Sequence, residues 1–143
     1  MNRFLTEKQM ASLVEAIQTA EDHSTGEIRV HIDATTEGNN AQTAVDVFRR
    51  LNMHKTKERN AVLFHINFEQ KYLTIIGDEG IHQKVSQQYW DDLHDRMTSM
   101  FAQGHYFEGV KNAILETGTE LKKHFPINES GNPNELPNEI TFS

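Results

Sequence analysis

The fold is decided by residues 61–77, which read Ala61-Val62-Leu63-Phe64-His65-Ile66-Asn67-Phe68-Glu69-Gln70-Lys71-Tyr72-Leu73-Thr74-Ile75-Ile76-Gly77. Residues 61–66 form an almost continuous apolar run. A strand with that pattern is buried on both faces, which calls for helices above and below the sheet. Residues 72–76 make a second strand. The link at 67–70 is too short for a crossover, so the two strands form an antiparallel hairpin. The hairpin ends at Gly77-Asp78-Glu79-Gly80.

Working outward, Glu27-Ile28-Arg29-Val30-His31-Ile32-Asp33 places Ile28, Val30 and Ile32 in strict alternation and predicts another strand. Ala41, Ala44, Val45, Phe48 and Leu51 follow at helical spacing. Strand, helix and strand imply a right-handed crossover between parallel strands. Thr6 with Gln9 makes a capping box, and Met10, Leu13, Val14 and Ile17 carry that first helix to about residue 22. One helical stretch is predicted over 81–103, with Gly104 as its C-terminal cap, and a last helix over 105–124. The predicted class is α/β: a three-layer α/β/α sandwich with a mixed central sheet and helices on both faces. Residues 1–126 form the domain. The tail at 127–143, which contains Pro133 and Pro137, is read as extended and laid over the surface.

A chain of 143 residues supports one core, and the absence of cysteine excludes disulfide scaffolds, thiol nucleophiles and cysteine metal sites. The chain holds 14 basic and 21 acidic residues, a net charge of -7, which disfavours a nucleic-acid partner and suits cations or basic partners. Mean hydropathy is -0.65. No run approaches the roughly 18 apolar residues of a membrane helix, and the N-terminus turns polar too early for a signal peptide. The expectation is a cytoplasmic protein without membrane insertion. Basic residues cluster between Arg49 and Arg59, which calls for a solvated face or a contact loop.

Ligands in open α/β sheets bind beyond the carboxyl ends of the strands. The ends read here are Asp33, Asn67 and the 77–80 loop. Asp78 and Glu79 leave a buried strand, and Asp91 and Asp92 lie on the helix that folds back over the sheet. Gathered carboxylates repel unless a cation neutralises them, and hard oxygen ligands select Ca²⁺ or Mg²⁺. Asp78 and Glu79 also suit a plain helix start, where acidic side chains meet the positive end of the dipole. The candidate metal ligands are therefore Asp78, Glu79, Asp91, Asp92 and Asp33. No EF-hand loop, phosphate-binding glycine loop or nucleophile elbow is present. His31 and His65 fall on strands and read as hydrogen-bonded core residues.

Several segments together resemble the TPM domain family. They are Ser24-Thr25-Gly26-Glu27-Ile28-Arg29-Val30, Arg59-Asn60-Ala61-Val62-Leu63, Ile75-Ile76-Gly77-Asp78-Glu79-Gly80-Ile81, Tyr89-Trp90-Asp91 and Asn134-Glu135-Leu136-Pro137. The family includes a plant thylakoid-lumen protein of photosystem II repair. The resemblance implies an α/β/α sandwich and divalent-cation binding, and the plant member is described as an acid phosphatase. Many members carry a signal peptide or a transmembrane helix, so this chain looks like a stand-alone soluble version. Gln87 stands where many members have an aspartate, and Asp78 where many have a glycine. The expectation is a cation-binding accessory or protein-interaction module with Ca²⁺ or Mg²⁺ as cofactor. The alternative is a metal-assisted phosphatase of low activity in which Arg59 faces a phosphate.

Overall fold

A computed structural model describes residues 4–127 and 134–143. The tail reading therefore falls partly outside the described residues. Helix α1 spans Glu7–Glu21, strand β1 Glu27–Asp33, α2 Asn40–Arg50, β2 Ala61–Asn67 and β3 Tyr72–Gly77. Helices α3 (Glu79–Lys84), α4 (Gln87–Ala102) and α5 (Tyr106–His124) follow, and β4 is Thr141–Phe142. Thr6 caps α1 as its sequence requires, accepting from the Gln9 backbone N–H at 3.0 Å while the Gln9 side chain accepts from Thr6 N–H.

The sheet order is β3-β2-β1-β4. Strand β1 runs parallel to β2 with Glu27 opposite Ala61 and Asp33 opposite Asn67. Strand β3 is antiparallel to β2. One face of the sheet presents Ile28, Val30, Ile32, Val62, Phe64 and Ile66 to the main core, which holds Leu13 and Ile17 of α1, Leu93 and Met97 of α4, and Val110 and Ile114 of α5. The other face carries Ala61 and Leu63 under Val47 and Phe48 of α2, with Met53 and Leu136. This is the α/β sandwich that the sequence predicts. Among the described residues no helix is long and apolar enough to cross a membrane.

Two sequence expectations need correction. The stretch 81–103 is two helices, because Val85 leaves the helical region at φ -113°, ψ 130° and Ser86 caps α4 by accepting from Tyr89 N–H. The tail is not merely laid over the surface. Residues 141–142 pair with His31 and Ile32 as a parallel edge strand, and Leu136 is buried in the second core. An edge with unpaired backbone groups invites such a partner.

Candidate functional site

Asp78 stands where β3 ends. Its backbone N–H donates to Ala61 O at 3.0 Å, and its Oδ1 caps α3 by accepting from Glu79 N–H at 2.8 Å. The Arg59 guanidinium reaches both oxygens, Nε to Oδ2 at 2.7 Å and Nη2 to Oδ1 at 2.9 Å. Its Nη1 lies 3.5 Å from Glu79 Oε2. Gly80 makes the approach possible. A Cβ there would sit 2.2 Å from Glu58 O and 2.7 Å from Arg59 O, so only glycine lets α3 start against that backbone. Hydrogen bonding to Asp78, then its charge, holds the Arg59 pKa above its ordinary value. Beside the pair lies an open cleft of 310 Å³ lined by Val45, Phe48, Arg49, His54, Arg59 and Asp78. Part of the basic stretch read in the sequence therefore does face Asp78.

The other candidate ligands do not join Asp78 and Glu79. Asp33 lies at the opposite end of the sheet. It faces Asn67 across the β1–β2 ladder, whereas Asp78 bonds to Ala61, and the length of β2 between them is about 20 Å. Because β3 runs antiparallel to β2, its carboxyl end lies beside the start of β2 and not beside Asp33. Asp33 is fully buried, accepts from Thr35 N–H at 2.8 Å and lies 3.2 Å from His65 Nε2. Asp91 and Asp92 are exposed and accept from Gln87 and Gln88 one turn back, at 3.0 and 2.8 Å. Among the described residues no group of three or more His, Asp or Glu side chains could hold a metal ion. As it stands, the arrangement does not fit a shared divalent-cation centre, because Asp78 already has a cation in Arg59.

Sequence reasoning missed the polar face of β1. Glu27, Arg29, His31 and Asp33 point away from the main core, yet each is at most 4% exposed. His31 lies between Thr141 Oγ1 and Ser143 Oγ, at 2.7 and 2.6 Å, and stacks on His65 at 5.5 Å. Both histidines are core residues, as the sequence reading had them. Burial pushes the His31 pKa down to about 4 and lowers that of His65. Burial raises the Glu21 pKa to about 9 and that of its neighbour Glu27 to about 7. The Glu21 side chain caps the start of β1 by accepting from Ile28 N–H at 2.8 Å. No sequence pattern separates these residues from a solvated strand face.

At the carboxyl ends of β1 and β2 the polar groups satisfy each other. Asn67 Nδ2 donates to Thr35 O, Thr35 Oγ1 and Asn40 Oδ1, and its Oδ1 accepts from Gln70 N–H. Next to this network is a cavity of 210 Å³. Its walls include Phe4, Phe68, Leu73, Phe101 and Tyr106, with Lys71 also lining it. Phe4 stacks on Phe68 at 5.6 Å and meets Tyr106 at 4.9 Å. Tyr72, also on the lining, is 51% exposed.

The sequence matches the family described as the TPM domain over residues 1–120. No curated protein matches it significantly. The fold is similar to the NMR structure of the BA42 protein from the psychrophilic bacterium Bizionia argentinensis, at 37% identity and a TM-score of 0.92, covering 100% of this chain and 98% of that one. It also resembles the solution structure of the N-terminal domain of a P. gingivalis protein, at 16% identity and a TM-score of 0.71, over 89% of this chain and 84% of that one. The second likeness concerns the fold alone. With the family match spanning most of its length, this chain belongs to the TPM domain family.

Proposed function

We propose that this TPM domain is an accessory module that binds a partner rather than transforming a substrate. The observation that supports it is the aromatic cavity at the carboxyl ends of β1 and β2. Ligands of α/β sheets enter at that end. The polar groups beside the cavity are spent on one another, which leaves aromatic surface and the Lys71 amine for recognition. A partner presenting an apolar ring beside a negative charge suits such a mouth. Indole-3-acetate serves as a probe. Its titration should shift the amide signals of Phe68, Leu73 and Tyr106, and Ala102→Phe, which fills the mouth, should weaken binding at least fivefold. Unmoved signals at millimolar probe would reject the reading.

The cation reading survives in a narrower form. Ca²⁺ or Mg²⁺ would have to exchange for the Arg59 guanidinium at Asp78 and Glu79. The phosphatase alternative draws its support from the cleft that joins Arg49, His54 and Arg59. Guanidinium groups suit phosphate oxygens. Inorganic phosphate that shifts the Arg49 and Arg59 side-chain signals at millimolar concentration would favour it.

A further inference from the structure

Residues 134–143 run along β1, and the polar positions of β1 hold them step by step. Glu27 Oε1 accepts from Leu136 N–H at 3.2 Å. Arg29 Nη2 donates to Glu139 O at 3.4 Å. His31 meets Thr141 and Ser143, while Ser143 N–H donates to Ile32 O and Ala34 N–H donates to Ser143 O, each at 3.0 Å. With its amide turned to satisfy its neighbours, Asn134 donates to Glu21 Oε1 at 2.9 Å. Leu136 seals the apolar groove of Val47, Phe48, Met53, Ala61 and Leu63.

The start of this ladder rests on two buried carboxyls. Glu21 is 4% exposed and Glu27 is closed to solvent; Glu21 accepts from Asn134 and Glu27 from Leu136, two residues on, and the Glu27 charge acts on Glu21. Two buried carboxyls that feel each other's charge favour keeping one proton between them. We infer that residues 134–143 are a detachable strap, latched by a proton shared between Glu21 and Glu27, and that losing this proton frees the strap and bares the groove beneath Leu136.

The surroundings make the proton count. Asp22, just past the end of α1, and Glu135 on the strap add negative charge near the pair, and Arg29 on β1 faces Glu21 and Glu139. Without the shared proton, two like charges lie side by side in a site shut from water. A cleft of 260 Å³ lined by Glu21, Asp22, Asn134 and Asn138 runs up to Glu21, which keeps 4% of its surface exposed. A glutamate facing water ionises near 4.5, whereas the docked fold holds Glu27 to about 7 and Glu21 to about 9. The opening constant then rises about tenfold per pH unit for each proton held only in the docked state.

The test is an NMR titration of the full chain from about pH 5 to 9.5, following the side-chain carboxyl carbons of Glu21 and Glu27 and the amides of Leu136 and Thr141. The carboxyls should inflect well above the ordinary range, and the strap amides should leave their docked positions in the same steps. Glu27→Gln keeps an acceptor for Leu136 N–H and cannot ionise, so its strap should stay docked at least one pH unit further. Carboxyls inflecting near 4.5 would overturn the inference. So would strap amides that stay fixed while the carboxyls titrate, or a Glu27→Gln strap released at the wild-type pH. If that variant fails to fold, the wild-type titration alone decides.

Discussion

Arg59 and Asp78, 19 residues apart, face each other through two parallel hydrogen bonds of 2.7 and 2.9 Å, and the same Asp78 caps α3. One aspartate thus ties together the end of β3, the start of α3 and the loop before β2. Asp78→Ala removes the cap and should cost about 1–2 kcal/mol in urea unfolding. Asp78→Asn retains a capping oxygen but gives up the ionic pair with Arg59, so it should fall between alanine and wild type. Equal stability of all three proteins would mean that the junction is held by backbone alone.

Stability should peak in mildly acidic solution. Glu21 and Glu27 have folded-state pKa values above the unfolded 4.5, so the folded state binds their protons more tightly. That contribution is whole below about 4.5 and is lost as pH rises through about 7 and then about 9. His31 works in the opposite sense. Its folded value of about 4 lies below the unfolded 6.5, so stability is lost as pH falls from 6.5 toward 4. His65 adds to that arm. Melting temperatures should therefore be highest near about pH 5–6 and decline on both sides. A plateau extending unbroken to pH 9 would contradict the burial of the two glutamates.

The sheet and its helices were legible because their signals are local. Ile28, Val30 and Ile32 alternate, residues 61–66 run apolar, and Thr6 with Gln9 closes a capping box. The cover on β1's second face was not legible. Glu27, Arg29 and His31 have the same alternation whether they meet water or a polar strap, and the strap lies more than a hundred residues away in sequence. The candidate ligands failed to gather for a different reason. The hairpin reading already made β3 antiparallel, so Asp33 and Asp78 had to point to opposite ends of the sheet. Asp91 and Asp92 had their partners in plain view, Gln87 and Gln88 at a spacing of four.

Leu136 measures what the strap contributes to the fold. It is buried against Val47, Phe48 and Met53 at the end of the second core. Leu136→Ala should cost about 2–3 kcal/mol, toward the lower end for a buried leucine because the site lies at the core's edge. Phe142 is 47% exposed, so Phe142→Ala should cost less than about 1 kcal/mol. The reverse order would place the strap's hold in β4 rather than at Leu136.

Gly80 admits no side chain, since the nearest atoms to an added Cβ are backbone oxygens of Glu58 and Arg59 that cannot rotate away. Gly80→Ala should cost about 1–3 kcal/mol and displace the Arg59 loop from Asp78. A crystal structure of the variant with the two Arg59–Asp78 hydrogen bonds intact would show that the loop gives way without loss.

The cation question turns on Arg59, because its guanidinium already engages both Asp78 oxygens and a divalent ion would have to compete with it there. With Arg59 seated on Asp78, Ca²⁺ must displace two short charge-assisted hydrogen bonds before it gains a ligand. Arg59→Gln removes that competitor and leaves Asp78 and Glu79 in place. Its Ca²⁺ affinity, read from the Glu79 and Gly80 amide shifts, should exceed the wild-type affinity at least tenfold. Asp91→Asn, on the exposed face of α4 where Asp91 accepts from Gln87, should change neither that affinity nor stability by more than about 0.5 kcal/mol. Two results would sink this account. One is Ca²⁺ affinity lower in Arg59→Gln than in wild type, which would make Arg59 a supporter of the site. The other is affinity lost in Asp91→Asn, which would bring α4 into a centre that the present geometry keeps it out of.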